Sequence, residues 1–173
     1  TIATRGELDE FEQQNIEQAV LWSLNRSFKP DVVFTEEFLK SVHKRMYGNV
    51  WAWAGEFRNT NKNIGVDKWK IPTELRILLD DVKFWYANNT YSPDECTIRF
   101  KHRLVSIHCF PNGNGRHSRL IADIVIEKIY KQLHYSWGAA NLVQQGDQRT
   151  TYLNAIRAAD AGNIQPLINF AKS

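Results

Sequence analysis

Apolar residues recur every three or four positions over most of this chain, the period that gathers them on one face of an α-helix. Thr4-Arg-Gly-Glu7 has the spacing of a capping box and opens a helix expected to run to about Ser27, with Leu8, Phe11, Ile16, Val20 and Leu24 as its apolar positions. Thr35, followed by Glu36 and Glu37, caps a second helix to about Tyr47. Pro72 and Thr73 start a third, which ends near Asn88. Ser92-Pro-Asp-Glu95 is another capping box with proline in the first turn, and it predicts a helix from Pro93 to about Ile107 whose Phe100, Leu104 and Ile107 face the core. Residues from Gly115 to about Tyr130 are apolar through Leu120, Ile121, Ile124, Val125 and Ile129, the mark of a buried central helix. Asp147 caps a helix to Ala161, Gly162 closes it, and Pro166 begins a short last one.

The helical period lapses first after Tyr47. Trp51 and Trp53 stand in a bend closed by Gly55, where bulky rings are expected to serve packing. Asn59, Asn61, Asn63 and Gly65 then punctuate a stretch that suggests a short β-hairpin, with an ordinary connecting loop as the alternative. The fold class that follows is mainly α: a helical bundle with a hairpin flap at about 57–72, in one domain spanning 1–173. No repeat, low-complexity tract or linker divides the chain.

The second lapse, Ser106 to Arg119, reads Ser-Ile-His-Cys-Phe-Pro-Asn-Gly-Asn-Gly-Arg-His-Ser-Arg and carries the chemistry. Consecutive N–H groups of a glycine turn, placed at a helix N-terminus with its partial positive charge, make an anion site, and Gly113 and Gly115 are the glycines whose positive φ would form it. Arg116 and Arg119 are three apart, so a helix would present two planar donor forks on one face; Asp123, four residues on, offers Arg119 an ion pair instead. His108, with an ordinary pKa of about 6.5, suits a general base, and the C-terminal end of its helix should favour its charged form. Asn-Gly occurs twice and is a common hairpin turn, but the flanking segments are helical in pattern and do not alternate. Cys109 beside His108 invites a Cys-His pair, yet neighbours on a helix point in different directions. His43, His102 and His134 have no motif around them and are expected to be surface or hydrogen-bonded structural residues.

Composition narrows the class. With 173 residues, 43% of them hydrophobic, the chain is long enough to bury a core. Its 22 basic residues are interspersed with 19 acidic ones, so the formal charge of +3 gives no footprint for a specific nucleic-acid partner. Two cysteines without a CxxC spacing indicate neither a disulfide framework nor a zinc site. No apolar run is long enough to span a membrane and no signal peptide opens the chain, so a cytoplasmic location is the expected default.

His-x-Phe-x-x-Gly-Asn-Gly-Arg-x-x-Arg is filled by His108, Phe110, Gly113, Asn114, Gly115, Arg116 and Arg119, and resembles the signature of the Fic (Fic/Doc) family. Trp53-Ala-Gly-Glu-Phe-Arg58 and Ala158-Ala-Asp-Ala-Gly162 extend the likeness, which is greatest to the subgroup called mobile mystery protein B. The resemblance implies a Fic-like bundle that transfers AMP from ATP to a Ser, Thr or Tyr hydroxyl of a target protein. His108 would be the base, and Gly113, Asn114, Gly115, Arg116 and Arg119 would bind the phosphates, Asn114 through its side-chain amide. Mg²⁺ would sit at Asn112, and the flap, with Ile64, Lys68, Trp69 and Ile71 over the site, would dock the target as an added strand. Tyr152, Ile156 and Asn141 would line an adenine pocket.

The sequence departs from that pattern in three places. Asn112 stands where most members have a carboxylate, which predicts weaker metal binding. Cys109 replaces the common proline. No glutamate is followed by Gly or Asn, as in the family's inhibitory helix, so a separate antitoxin-like protein is one expected source of restraint. A phosphotransferase or other-nucleotide transferase of the same fold, or a catalytically weakened nucleotide-binding, toxin-like module, are the alternative functions.

Overall fold

In the computed structural model, residues 4–139 and 145–173 are described, and the fold is 68% helical. The α-helices are α1 (Arg5–Leu24), α2 (Pro30–Val33), α3 (Glu36–Tyr47), α4 (Ile71–Asn88), α5 (Pro93–Ile107), α6 (Asn114–Ile124), α7 (Gln145–Asp160) and α8 (Gln165–Lys172). Their starts follow the capping residues: Thr4 and Glu7 form the reciprocal box of α1, and Thr35 Oγ1 accepts the Phe38 N–H. Ser92 Oγ accepts the Glu95 N–H, while the Glu95 carboxylate turns to Arg99 rather than completing a box. α6 continues as a wider π-turn over Val125–Ile129, so the single helix expected to Tyr130 has two windings.

α5 and α6 form the centre. α5 packs on α4, α6 and α8, and α6 packs on α3 and α5. Phe100, Leu104, Ile121 and Val125 join Leu39, Val42, Leu75 and Leu78 in the larger core, and Ile98, Ala122 and Ile126 face Ala155, Leu167 and Ala171 in the smaller. α1 is attached differently from its apolar pattern. Phe11 and Leu24 lie outside, and Asn15, Ala19 and Ser23 form the buried stripe. Asn15 takes the Asn49 N–H and donates to the Arg45 carbonyl, so a polar side chain seats this helix. No helix among the described residues is long and apolar enough to cross a membrane.

The flap segment is not a pair of strands. No strand occurs among the described residues; 57–67 is a chain of bends, Lys68–Lys70 forms one 3₁₀ turn, and α4 begins at once with Ile71. The backbone here pairs with a side chain in place of a facing strand. Arg58, only 3% exposed, donates to the carbonyls of Thr60, Val66, Ile107 and His108. Two of those carbonyls are orphaned by the end of α5, where partial negative charge suits a guanidinium. The Arg58 N–H to Cys109 O and Val66 N–H to Ile107 O bonds tie both ends of the segment to the same place.

Buried imidazoles set the acid limit of the fold. Burial holds His43 down to about 4 and His117 down to about 3, against 6.5 in the open chain. Each therefore contributes stability that is complete above pH 6.5 and is lost as pH falls toward its folded value, at about 1.4 kcal/mol per unit. Asp123, raised by burial to about 6, has the opposite sign and gives back part of the loss. His108, also held below its ordinary value, adds to the loss, so unfolding free energy in urea should drop by about 2 kcal/mol or more between pH 6.5 and 4.5; a flat profile would contradict the neutral assignment of the two buried rings. Arg58→Met leaves the Thr60, Val66 and His108 carbonyls without the Arg58 donor and should cost about 3 kcal/mol or more, with faster amide exchange at Val66; exchange unchanged there would mean that Arg58 does not hold the segment.

Candidate functional site

His108 is where α5 stops. Its backbone takes the left-handed conformation, φ 58° and ψ 60°, which a non-glycine residue adopts at some cost, and Arg58 holds its carbonyl at 2.5 Å. Among the described residues neither ring nitrogen has a hydrogen-bond partner. Burial first, then the charges of Arg58 and Lys62, hold its pKa below the ordinary value. The helix terminus was expected to raise it; desolvation and two cations outweigh that end effect. Gly65, at φ +92°, lies directly against the site, since a Cβ there would stand 2.6 Å from that of His108. The bends of 57–67 thus close one side of the imidazole.

Only one of the two expected glycines is conformationally special. Gly113 has φ +76° and rests on the Tyr47 ring, 2.4 Å from where its Cβ would be. Gly115 is helical, and a Cβ on it would meet nothing within 4 Å, so protein packing does not demand its lack of a side chain. Gly113 is the N-cap of α6 and supplies no capping side chain, leaving the helix's first N–H groups open.

Asn114 corrects an expectation. Its side chain is buried and turned inward, where Oδ1 accepts the Phe110 N–H and Nδ2 donates to the Phe110 carbonyl, so it closes the turn on itself rather than reaching for a phosphate. Asn112 Oδ1 accepts the Gly113 N–H at 2.8 Å. The Asn112 carbonyl is held from α3 by a residue that no motif announced. Gly55 N–H donates to His43 Nδ1, which assigns the hydrogen to Nε2 and makes it the donor to Asn112 O at 2.9 Å. The His43 ring stacks on Phe110 at 3.8 Å.

The two arginines do not present parallel forks. Arg116 Nη2 donates to Glu12 Oε1 of α1 at 2.5 Å, and the other oxygen of that carboxylate accepts the Trp51 indole N–H. The Arg119 guanidinium lies among the rings of Trp137, Tyr152 and Phe170, 4.6 Å from the Tyr152 centre. Its expected partner Asp123 accepts instead from the Tyr135 N–H and the Trp137 indole. Lys101, also without a sequence signal, is fully buried beneath Tyr152.

The remaining candidates separate in the same way. Cys109 is buried, with its thiol pushed up to about 12, which removes any Cys-His nucleophile. Ile64 and Trp69 are exposed, at 63% and 81%, and Lys68 Nζ donates to the Asn59 carbonyl. Ile71 is fully buried as the first residue of α4; it belongs to the core and is unavailable for docking. Tyr152 and Ile156 share the smaller core's edge, and Asn141 lies outside the described residues. No group of three His, Cys, Asp or Glu side chains among the described residues is placed to hold a metal ion.

Comparison with known proteins places this geometry. A relative from Drosophila grimshawi named Protein adenylyltransferase Fic is 26% identical over 151 residues, 85% of this chain and 30% of that protein. One of the same name from Aedes aegypti is 27% identical over 146 residues, 82% and 28% of the two chains. The chain thus spans under a third of the length of these curated relatives. Fic-1 from C. elegans has the same fold, with a TM-score of 0.76 at 19% identity over 99% of this chain and 50% of that one. BepC from Bartonella tribocorum, solved with bound AMPPNP, gives 0.73 at 18% identity, covering 99% and 87%. The profile of the Fic/DOC family matches residues 33–126, which hold the imidazole, the glycine turn, both arginines and the α3 histidine that braces them. By that match the chain belongs to the Fic/DOC family.

Proposed function

We propose that this chain is a protein adenylyltransferase, moving AMP from ATP to a Ser, Thr or Tyr hydroxyl of a target protein. The observation that carries the reading is one juxtaposition: an imidazole with unpartnered nitrogens and a depressed pKa stands six residues before a helix N-terminus that no side chain caps. A polyphosphate laid on the first turn of α6 would accept the open N–H groups, and the space over Gly115 admits it without steric cost. The acceptor oxygen attacks the α-phosphorus, the bond to the β-phosphate oxygen breaks, and pyrophosphate leaves. His108 takes the hydroxyl proton. Exposed Ile64, on the bends beside His108, and Trp69, on the 3₁₀ turn that follows them, are side chains available to a target segment.

Arg116 needs no separate antitoxin-like protein to engage it, because Glu12 already does so within the chain. For Mg²⁺ the residues fit poorly. The donor set is the Asn112 amide oxygen, uncharged and already accepting the Gly113 N–H, whereas a magnesium site ordinarily has one or two carboxylates besides phosphate. The same observation favours a second reading, a nucleotide-binding module with weakened catalysis.

Incubation with ATP and candidate targets, followed by mass spectrometry, should show a gain of about 329 Da for AMP; about 80 Da would mean phosphate transfer, and nucleotide binding without any gain would establish the binding module. His108→Ala should abolish the gain while leaving nucleotide affinity within about twofold. Because His108 is held below its ordinary pKa, it stays an unprotonated base to lower pH than an exposed histidine. The acidic limb of the transfer rate should have its midpoint below 6.5; a midpoint above 7 would remove His108 from the role. Asn112→Asp should tighten Mg²⁺-dependent nucleotide binding by about tenfold in calorimetry, and equal or weaker binding would rule position 112 out as a metal ligand.

A further inference from the structure

The cage around Arg119 contains a second cation that the proposed reaction does not use. Lys101, in the middle of α5, is completely buried; its Nζ meets the Tyr152 hydroxyl at 2.6 Å and lies 4.9 Å from the centre of that ring. Arg119 approaches the same ring from α6 at 4.6 Å, and the two cations also share Trp137, at 5.8 and 5.7 Å. Two positive groups thus sit around one pair of aromatic rings.

Among the described residues no carboxylate balances them. Asp160, which joins α7 to α5, is taken by His102 at 2.7 Å, and Asp94, at the start of α5, is shared by Tyr135 and Lys172. Asp123 accepts the Trp137 indole N–H and the Tyr135 N–H. From α8 comes only the uncharged Phe170, and residues 140–144 are Ala-Asn-Leu-Val-Gln, none of them ionisable. Burial and the neighbouring Arg119 together push Lys101 down to about 7, so the amine and the ammonium are close in free energy near neutral pH.

We propose that Lys101 is a positioning residue for anion binding at Arg119, and that it takes up a proton when a polyphosphate arrives there. The contact with Tyr152 survives either charge state. As an ammonium, Lys101 donates to the phenolic oxygen; as an amine, it accepts the phenolic O–H. Tyr152 therefore stays against Arg119 throughout. An arriving negative charge offsets the repulsion between the two cations and raises the lysine pKa by roughly one to two units. The cage is least positive when empty and becomes fully charged only with its anion in place. This inference rests on the reading that nucleotide phosphates meet Arg119.

Proton linkage tests it directly. The full chain is titrated by calorimetry with the α,β-methylene analogue of ATP and MgCl₂ at pH 8, in two buffers of different ionisation enthalpy. Uptake of about half a proton per analogue bound is expected, falling toward none at pH 6, where Lys101 is already charged. Lys101→Met and Lys101→Arg should both bind with the uptake lost, the first having no titrating group and the second staying charged throughout. Wild-type binding with heats independent of buffer at pH 8 would overturn the inference while leaving the transferase reading standing, and uptake that persists in both variants would do the same. Failure of the wild type to bind the analogue would overturn both.

Discussion

The site depends on two hydrogen bonds that never touch solvent, those from the Asn114 side chain to the N–H and carbonyl of Phe110. They make a closed turn of the segment that joins the two central helices, and a buried amide satisfied at both ends is expensive to release. Everything else is referred to that turn. His43 braces its Asn112 carbonyl from α3, Phe110 stacks against the same imidazole, and Tyr47 allows only glycine at 113. The end of α5 and the start of α6 consequently meet at a fixed angle, with His108 on one and the open N-terminus on the other.

Much of this was legible in the sequence, and the limits of legibility are instructive. Thr4, Thr35 and Ser92 marked helix starts correctly because capping is a local bargain between a side chain and an N–H two or three residues away. His108 and Gly113 were legible for the same reason: positive φ and a helix end are local properties. Asn114 looked like a phosphate ligand because sequence shows that an amide is present, not which way it faces. Arg58, His43 and Lys101 carried no usable signal of their own. Each has a partner 50, 69 or 51 residues away in the chain, and nothing local distinguishes a buried cation or imidazole from an exposed one.

The flap shows the same limit from the backbone side. Asn- and Gly-rich punctuation suggested a hairpin, since that pattern commonly marks a tight reversal between strands. Here a single buried guanidinium satisfies carbonyls that a facing strand would otherwise have taken, from both the bends and the end of α5. Ile71, assigned to the flap by position, is drawn into the core because α4 begins one residue after the 3₁₀ turn. The residues left outside, Ile64 and Trp69, are apolar and exposed on a segment anchored beside the imidazole.

Positive charge is concentrated around this turn although the chain as a whole is not strongly basic. The chain's net charge is only +3, yet Arg58 and Lys62 both act on His108, while Lys101 and Arg119 sit together with no carboxylate beside them among the described residues. Among the described residues Glu12 is the one acidic side chain bonded to a motif arginine, and it engages Arg116 rather than Arg119. Fully charging every one of these cations in a low-dielectric setting would cost several kcal/mol, and the fold relieves that cost in three ways. Arg58 is surrounded by carbonyls, Arg119 lies against aromatic faces, and Lys101 is poised between charge states. Each arrangement lowers the positive potential of the empty site without supplying a carboxylate that an incoming phosphate would have to displace. Arg116 is the exception, and there the Glu12 carboxylate and a phosphate would compete for the same guanidinium fork.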